Sequence, residues 1–228
     1  MVIGIDGHMD LPTRLHAIGI IPVVQLPRPE LAVPLAEVLA GAGLPCLEVT
    51  FRAAGASGAA EAIRAIRGAL PDVLVGAGTV LTIEQADAAI EAGAQFIVSP
   101  GTNPRVVDHV LERGARMIPG VASPSDIEAN LERGLDLLKF FPAEALGGPA
   151  FLRSVLGPFD AVRFIPSGGV TPDNLASYLS LANVTAVGGT WIAQPSALEA
   201  GDLDTVERRA EEAVALVRHA RASSAGAR

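Results

Sequence analysis

Cysteine, lysine and long unbroken apolar runs are scarce in this sequence of 228 residues, and each scarcity narrows the possible structures or functions. Cys46 is the only cysteine, so no disulfide can form within the chain, and its place in an apolar run predicts a small buried side chain. Basic residues are outnumbered by acidic ones, which gives a net charge of −8 and a pI near 5.0. Nucleic acids and anionic membrane surfaces require basic patches, so we expect no nucleic-acid partner and no membrane partner.

The longest stretch without a charged residue, 174–198, is interrupted by Asn183, by two adjacent glycines and by Pro195. These interruptions favour a helix, a buried strand and a loop over a membrane span. Residues 1–10 contain two aspartates and no basic region followed by a long apolar core, so we expect no secretory signal. The sequence therefore predicts a cytoplasmic protein.

Lysine occurs once: of the 17 lysine and arginine residues, Lys139 alone is a lysine. A guanidinium group is effectively never deprotonated, whereas an ammonium group desolvated by apolar neighbours can lose its proton and become a nucleophile. Lys139 lies near the end of an apolar run and is followed by Phe140, Phe141 and Pro142. It is therefore a candidate for forming a Schiff base, and the alternative is a surface lysine that keeps its charged end in water.

Short apolar runs alternate with amphipathic stretches along most of the chain. The runs predict eight buried strands, at 19–24, 46–51, 73–76, 96–99, 116–119, 135–140, 161–166 and 184–187. The amphipathic stretches predict helices at 29–42, 58–70, 82–92, 104–113, 123–133, 171–181 and 199–221, with Thr82, Ser123 and Thr171 as N-caps. A spacing of about 25 residues per strand and helix favours a single closed (β/α)8 barrel, the TIM barrel, over an open doubly wound sheet.

The barrel accounts for most of the expected domain organisation. Residues 1–18 are expected to form an N-terminal helix packed on the barrel, residues 19–222 the barrel domain, and residues 223–228 a frayed tail. Active sites of such barrels lie at the carboxyl ends of the strands. The polar residues within and after each predicted strand are therefore the candidates for chemistry.

Glu48 lies inside a predicted strand, between Leu47 and Val49, and can therefore point into the barrel. An isolated carboxylate there would be costly, so it needs a charged partner or a catalytic role. A structural ion pair with Arg52 or Lys139 is one interpretation. If Glu48 shares a cavity with Lys139, the two can also exchange protons with a bound substrate.

Two glycine pairs follow the last two predicted strands, in Ser167-Gly168-Gly169 and in Gly188-Gly189-Thr190. Unhindered backbone N–H groups and two hydroxyls near helix N-termini suit a phosphate dianion, and these two loops often hold phosphate in such barrels. A glycine pair alone is also typical of a tight turn. None of the four histidines follows a strand, so no metal is expected, and Tyr178 and Trp191 are expected to be packing residues.

Seven short motifs stand out when the chain is taken as a whole. They are GIIPVV at 19–24, EVTFR at 48–52, GAGT at 76–79, SPG at 99–101, KFFPAE at 139–144, SGGV at 167–170 and GGTW at 188–191. Together they resemble the class I aldolase family that acts on 2-keto-3-deoxy-6-phosphogluconate (KDPG) and on 4-hydroxy-2-oxoglutarate (KHG). The resemblance implies a lyase of carbohydrate metabolism, in the Entner-Doudoroff pathway, that cleaves KDPG to pyruvate and glyceraldehyde 3-phosphate. It also implies cleavage of KHG to pyruvate and glyoxylate.

The same resemblance implies a role for each candidate residue. Lys139 forms the Schiff base and Glu48 is the acid/base residue. Arg52 and Thr79 hold the pyruvate carboxylate, Pro100 and Phe141 form the apolar wall of the pyruvate pocket, and Ser167, Gly168, Gly169, Gly189 and Thr190 bind the distal phosphate. The resemblance further implies a homotrimer that needs no metal and no other cofactor.

Other activities are compatible with the same residues. The nearest is the corresponding cleavage of the galactonate epimer. A phosphosugar isomerase or epimerase would share the phosphate loops but would not need Lys139. A non-catalytic barrel that binds a phosphometabolite would not explain why Glu48 lies beside Lys139.

Overall fold

Parallel β-structure lies at the centre of the fold. The structure is a computed structural model and describes residues 10–52 and 55–225. Its strands are β1 Ile20–Val24, β2 Cys46–Thr50, β3 Leu74–Gly78, β4 Ile97–Val98, β5 Met117–Ile118, β6 Gly120–Val121, β7 Leu137–Phe140, β8 Arg163–Pro166 and β9 Val187–Gly189. All pairs are parallel, six strands in the order β5-β4-β3-β2-β1-β9 and three in the order β6-β7-β8. The predicted α/β class is confirmed.

Burial on both faces explains why the strands read as continuous apolar runs in the sequence. Every residue of β1, β2 and β3 is buried, as in parallel sheets that helices cover. The two sheets are closely connected: only Pro119 separates β5 from β6. Isolated parallel bridges join Phe164 to Val184 and Ser167 to Gly188, and so link the region of β8 to that of β9.

Helices connect most successive strands. They are α1 Leu11–Ile18, α2 Ala32–Gly41, α3 Gly55–Ala69, α4 Ile83–Glu91, α5 Pro104–Glu112, α6 Pro124–Leu131, α7 Gly148–Val155, α8 Leu175–Leu179, α9 Pro195–Ala200 and α10 Leu203–Ala225. Thr82 caps α4 by accepting a hydrogen bond from the Gln85 N–H, and Ser123 and Asp126 form a reciprocal capping box at α6. Both N-caps are as predicted. Within the described ranges, no helix is long and apolar enough to span a membrane.

Two predicted boundaries near the glycine pairs are wrong. Helix α8 begins at Leu175 and not at Thr171, because the Asn174 side chain accepts a bond from the Thr171 N–H at 2.8 Å and donates one to the Gly169 carbonyl at 3.0 Å. These bonds hold the intervening residues in a turn. Strand β9 is later than predicted and includes both Gly188 and Gly189, so this pair lies in the sheet and not in a loop.

The ends of the chain and the segment after β7 also differ from expectation. A 3-10 helix, Glu144–Leu146, and α7 follow β7, where no helix was predicted. Helix α10 continues to Ala225 and so enters the predicted tail 223–228. The predicted N-terminal helix is present as α1, while residues 1–9 and 226–228 lie outside the described residues.

Candidate active site

Lys139 and Glu48 form a buried ion pair between the two sheets. Lys139 lies on β7 and Glu48 on β2, and the distance from Nζ to Oε1 is 3.3 Å. Lys139 is 5% exposed and Glu48 is 3% exposed, so the interpretation of Lys139 as a surface lysine is wrong. A carboxylate in contact with a buried amine can take up and return its proton, which is the arrangement that imine chemistry requires.

Gly78, on the neighbouring strand β3, leaves the space that the Glu48 side chain occupies. A Cβ atom added at Gly78 would overlap the Glu48 carboxylate. The sequence marked this glycine only as part of a motif, because nothing local reveals that a side chain from another strand fills its place. On the other side of the pair, the Phe141 ring centroid lies 5.4 Å from Lys139 Nζ, within the range of a cation–π contact.

Arg52 and Thr79 meet at the carboxyl ends of β2 and β3. Arg52 Nε donates a hydrogen bond to Thr79 Oγ1 at 3.2 Å, so Arg52 does not pair with Glu48. Among the described residues Arg52 has no carboxylate within ion-pair distance, which leaves an exposed guanidinium available to an anion. Thr79 has a φ of 57°, a left-handed conformation that is costly for a β-branched residue and that occurs preferentially at functional sites.

Pro100 and Phe141 both lie near the lysine strand β7, and both are half-buried. Pro100 follows β4 and lies against Gly120, where a Cβ atom would overlap the Pro100 carbonyl group. Gly120 is in turn the register partner of Lys139. Phe141 follows β7, and an added Cβ at Gly168 would lie 3.1 Å from its ring. The structure therefore brings both predicted wall residues close to the elements that carry Lys139.

The second group of predicted residues lies where β8 and β9 end. Gly168 and Gly169 have φ values of 89° and 87°, which only glycine adopts readily. The Ser167 hydroxyl is buried and has no hydrogen-bond partner among the described residues. It lies against Gly188, so the two predicted loops meet, and Thr190 follows them as an exposed residue. Free hydroxyl and N–H groups at this edge can bind an oxyanion.

Glu144 and Tyr178 also belong to this part of the molecule, although the sequence assigned Tyr178 to packing alone. The Tyr178 hydroxyl donates a hydrogen bond to Glu144 Oε1. The Glu144 side chain lies over Gly169, where an added Cβ would come within 2.6 Å of Glu144 Cγ. The place of Glu144 in the KFFPAE motif was the available signal, but its partners are distant in sequence.

Metal-binding side chains and the Cys46 thiol are the other groups that could support a reaction. Within the described part of the chain, no group of three or more histidine, cysteine, aspartate or glutamate side chains is arranged to hold a metal ion. Burial raises the pKa of the Cys46 thiol, which keeps it protonated and unreactive. The ion pair of Lys139 and Glu48 is therefore the best-placed reactive centre in the described residues.

Comparisons with known proteins point in the same direction. The family described as "Aldolase: KDPG and KHG aldolase" matches residues 11–209. The chain is 50% identical over 203 residues to the 2-dehydro-3-deoxy-phosphogluconate aldolase of Treponema pallidum, which covers 89% of this chain and 95% of that protein. It is 43% identical over 195 residues to the KHG/KDPG aldolase of Escherichia coli, covering 86% of this chain and 90% of that one.

A solved structure is similar over nearly the same length. The KDPG aldolase of Legionella pneumophila superposes with a TM-score of 0.83 at 36% identity, and the match covers 89% of this chain and 97% of that one. That protein is described with pyruvate captured at low pH as a covalent carbinolamine intermediate. A carbinolamine is the adduct that an amine forms with a carbonyl before an imine.

Proposed function

The chain belongs to the KDPG and KHG aldolase family, and on that premise we propose that it cleaves KDPG to pyruvate and glyceraldehyde 3-phosphate through a Schiff base on Lys139. It is an aldolase and therefore a carbon–carbon lyase. The observation that carries the proposal is the burial of the only lysine at 3.3 Å from the Glu48 carboxylate. The same chemistry on KHG would release pyruvate and glyoxylate.

The reaction begins with formation of the imine. Glu48 accepts a proton from the Lys139 ammonium group, and the neutral amine attacks the C2 carbonyl carbon of the 2-keto acid. The nitrogen then loses a proton as the C2 oxygen becomes a hydroxyl group. Protonated Glu48 returns its proton to that hydroxyl, which leaves as water, and a protonated imine remains between C2 and Lys139.

The protonated imine then accepts the electrons of the breaking carbon–carbon bond. Glu48, again a carboxylate, accepts the proton of the C4 hydroxyl, and the C3–C4 bond breaks to give an aldehyde and an enamine. Glu48 returns this proton to C3 of the enamine. Water hydrolyses the resulting protonated pyruvate imine, so that pyruvate leaves and Lys139 is again an ammonium group beside the Glu48 carboxylate.

The remaining site residues hold the two charged ends of the substrate. We assign the carboxylate to Arg52 and Thr79, because the Arg52 guanidinium has no acidic partner among the described residues and already bonds the Thr79 hydroxyl. Pro100 and Phe141 form the apolar wall beside the reacting carbons. We assign the distal phosphate to the second group, which comprises Ser167, Gly168, Gly169, Gly189 and Thr190.

The proposal extends to the closure of the barrel, the number of subunits, the cellular location and the pathway. We propose that the two sheets form one closed (β/α)8 barrel over residues 19–222, with α1 packed on it, which the short Pro119 junction and the bridges of Ser167 and Phe164 support. We further propose a cytoplasmic homotrimer that acts in the Entner-Doudoroff pathway without a metal. Sedimentation equilibrium would measure the number of subunits, and a mass of one or two chains would exclude the trimer.

Release of pyruvate, measured with a coupled assay, tests the function directly. We expect turnover of KDPG with and without chelator, and no turnover by Lys139→Arg, because a guanidinium group forms no imine. Borohydride added with pyruvate should attach a mass to Lys139 of the wild type and none to Lys139→Arg.

Two results would contradict the proposal: an active enzyme whose lysine stays unmodified, and loss of activity with chelator. A phosphosugar isomerase or a non-catalytic binding barrel would release no pyruvate. An aldolase of the galactonate epimer would show the higher kcat/KM for that epimer.

A further inference from the structure

The segment after the lysine strand runs beside the Ser-Gly-Gly turn. The Ala143 N–H donates to the Ser167 carbonyl at 2.8 Å, and the Glu144 N–H donates to the Gly168 carbonyl at 3.1 Å. These bonds join the two backbones side by side. The position of residues 143–144 therefore determines where the turn 167–169 lies.

The Glu144 side chain then covers the turn. Its methylene groups lie over Gly169, where only the absence of a Cβ atom makes room for them. The carbonyl of Gly169 is held from the other direction by the Asn174 side chain, at 3.0 Å. Gly169 is exposed, yet it contacts the Glu144 side chain and is hydrogen-bonded by Asn174, which restrict a residue that has much conformational freedom to lose.

Tyr178 holds Glu144 in this position. The tyrosine is fully buried on α8, and its hydroxyl donates a hydrogen bond to the Glu144 carboxylate, which is itself in an exposed residue. Burial and the neighbouring carboxylate raise the pKa of Tyr178, so the hydroxyl stays protonated and remains a donor. Without this bond, the carboxylate would turn to solvent and its methylene groups would leave Gly169.

We infer that Glu144 and Tyr178 are positioning residues that order the Gly168–Gly169 turn and thereby favour phosphorylated over unphosphorylated 2-keto acids. The inference rests on the proposed function, in which this turn binds the distal phosphate. A turn held in one conformation presents its N–H groups to the phosphate without a further loss of entropy on binding. Neither residue bonds to Lys139 or Glu48, so imine chemistry does not depend on them.

Kinetics with KDPG and KHG separate this role from a general structural one, because KHG carries no phosphate. For Tyr178→Phe we expect KM for KDPG to rise about tenfold, a change typical of the loss of one hydrogen bond, while kcat for KDPG and kcat/KM for KHG stay within about twofold of the wild type. Glu144→Ala should behave in the same way. Glu144→Gln keeps an oxygen acceptor for the Tyr178 hydroxyl and should retain a KM within about threefold of the wild type.

Ser180→Ala is the matched control. It removes a hydroxyl at the end of α8 that, within the described part of the chain, donates a hydrogen bond only to the Ser177 carbonyl. This variant should leave KM and kcat for KDPG, and kcat/KM for KHG, unchanged. Thermal unfolding of each variant checks that the protein is folded during the assay.

Three outcomes would overturn the inference. The first is an unchanged KM for KDPG in both Tyr178→Phe and Glu144→Ala, and the second is an equal loss with both substrates. The third is a wild type that releases no pyruvate from either substrate, which would overturn the proposed function and this inference together. The first two leave the proposed function intact, so the two failures can be told apart.

Discussion

Replacing Lys139 with methionine leaves the Glu48 carboxylate buried without its partner, and we expect this change to lower the free energy of unfolding by about 3–5 kcal/mol. The two charges are 3.3 Å apart, and the side chains are only 7% and 4% exposed. At an effective dielectric constant of about 20, unit charges at this distance attract each other by about 5 kcal/mol. Burying each ion costs several kcal/mol, and in the wild type the attraction between the two charges largely offsets this cost. When one partner is removed, the attraction is lost but the cost of burying the remaining charge stays.

The double variant Lys139→Met and Glu48→Met separates these two contributions. It removes both charges and fills the space with side chains of similar length, so we expect a free energy of unfolding within about 2 kcal/mol of the wild type. The single variant Glu48→Met, which strands the ammonium group, should also lose about 3–5 kcal/mol. Domains of this kind unfold with about 5–15 kcal/mol, so the single variants should still fold.

Urea unfolding gives the free energy of unfolding of the wild type, the two single variants and the double variant under the same conditions. The fluorescence of Trp191, the only tryptophan, and far-UV circular dichroism give independent transitions. A sum of the single losses in the double variant would show that the pair is not coupled. A loss below about 1 kcal/mol in each single variant would show that neither charge is stranded, and either result would refute the reasoning.

Two further predictions concern the room around Glu48 and the charge near the N-terminal helix. Gly78→Ala places a Cβ atom where the Glu48 carboxylate lies, so kcat/KM for KDPG should fall by about 10²–10⁴-fold, the usual contribution of general acid–base catalysis. Gly68→Ala, whose Cβ would meet nothing within 4 Å, is the control, and wild-type activity in Gly78→Ala would contradict the role of Glu48. Partial desolvation and the charge of Arg221 lower the pKa of His16. The unfolded chain therefore binds the His16 proton more tightly than the folded chain does, and the folded state loses stability as the pH falls below about 6.5. Urea unfolding at about pH 7.5 and about pH 5 should show a smaller loss for His16→Gln than for the wild type, and equal losses would refute this assignment.

Elements whose local signals agree with their tertiary contacts could be predicted from the sequence. Thr82 and Ser123 cap their helices as predicted, because a cap bonds to a backbone group three residues away and needs no distant partner. Strand β1 was predicted nearly to the residue, since burial on both faces produces an unbroken apolar run. Lys139 was identified as the only lysine of the chain and by its place near the end of an apolar run, and its burial agrees with that interpretation.

Boundaries set by side chains from elsewhere could not be predicted in this way. Thr171 followed by proline is a good local start for a helix, but the Asn174 side chain bonds across the turn and delays the helix to Leu175. The Gly188-Gly189 pair resembles a loop in the sequence and is nevertheless a strand. Gly188 is there because a neighbouring chain segment, with Ser167, comes too close for any side chain.

Three glycines of the candidate site are each in contact with a side chain from another part of the chain, which a motif search does not reveal. Gly78 makes room for Glu48, Gly169 for Glu144 and Gly188 for Ser167, so each glycine marks the place of a candidate site residue. This explains why the Glu144 and Tyr178 contact was missed while the glycines beside it were found. The glycine is visible in the sequence, whereas the side chain that requires it is defined only by the packing of distant elements.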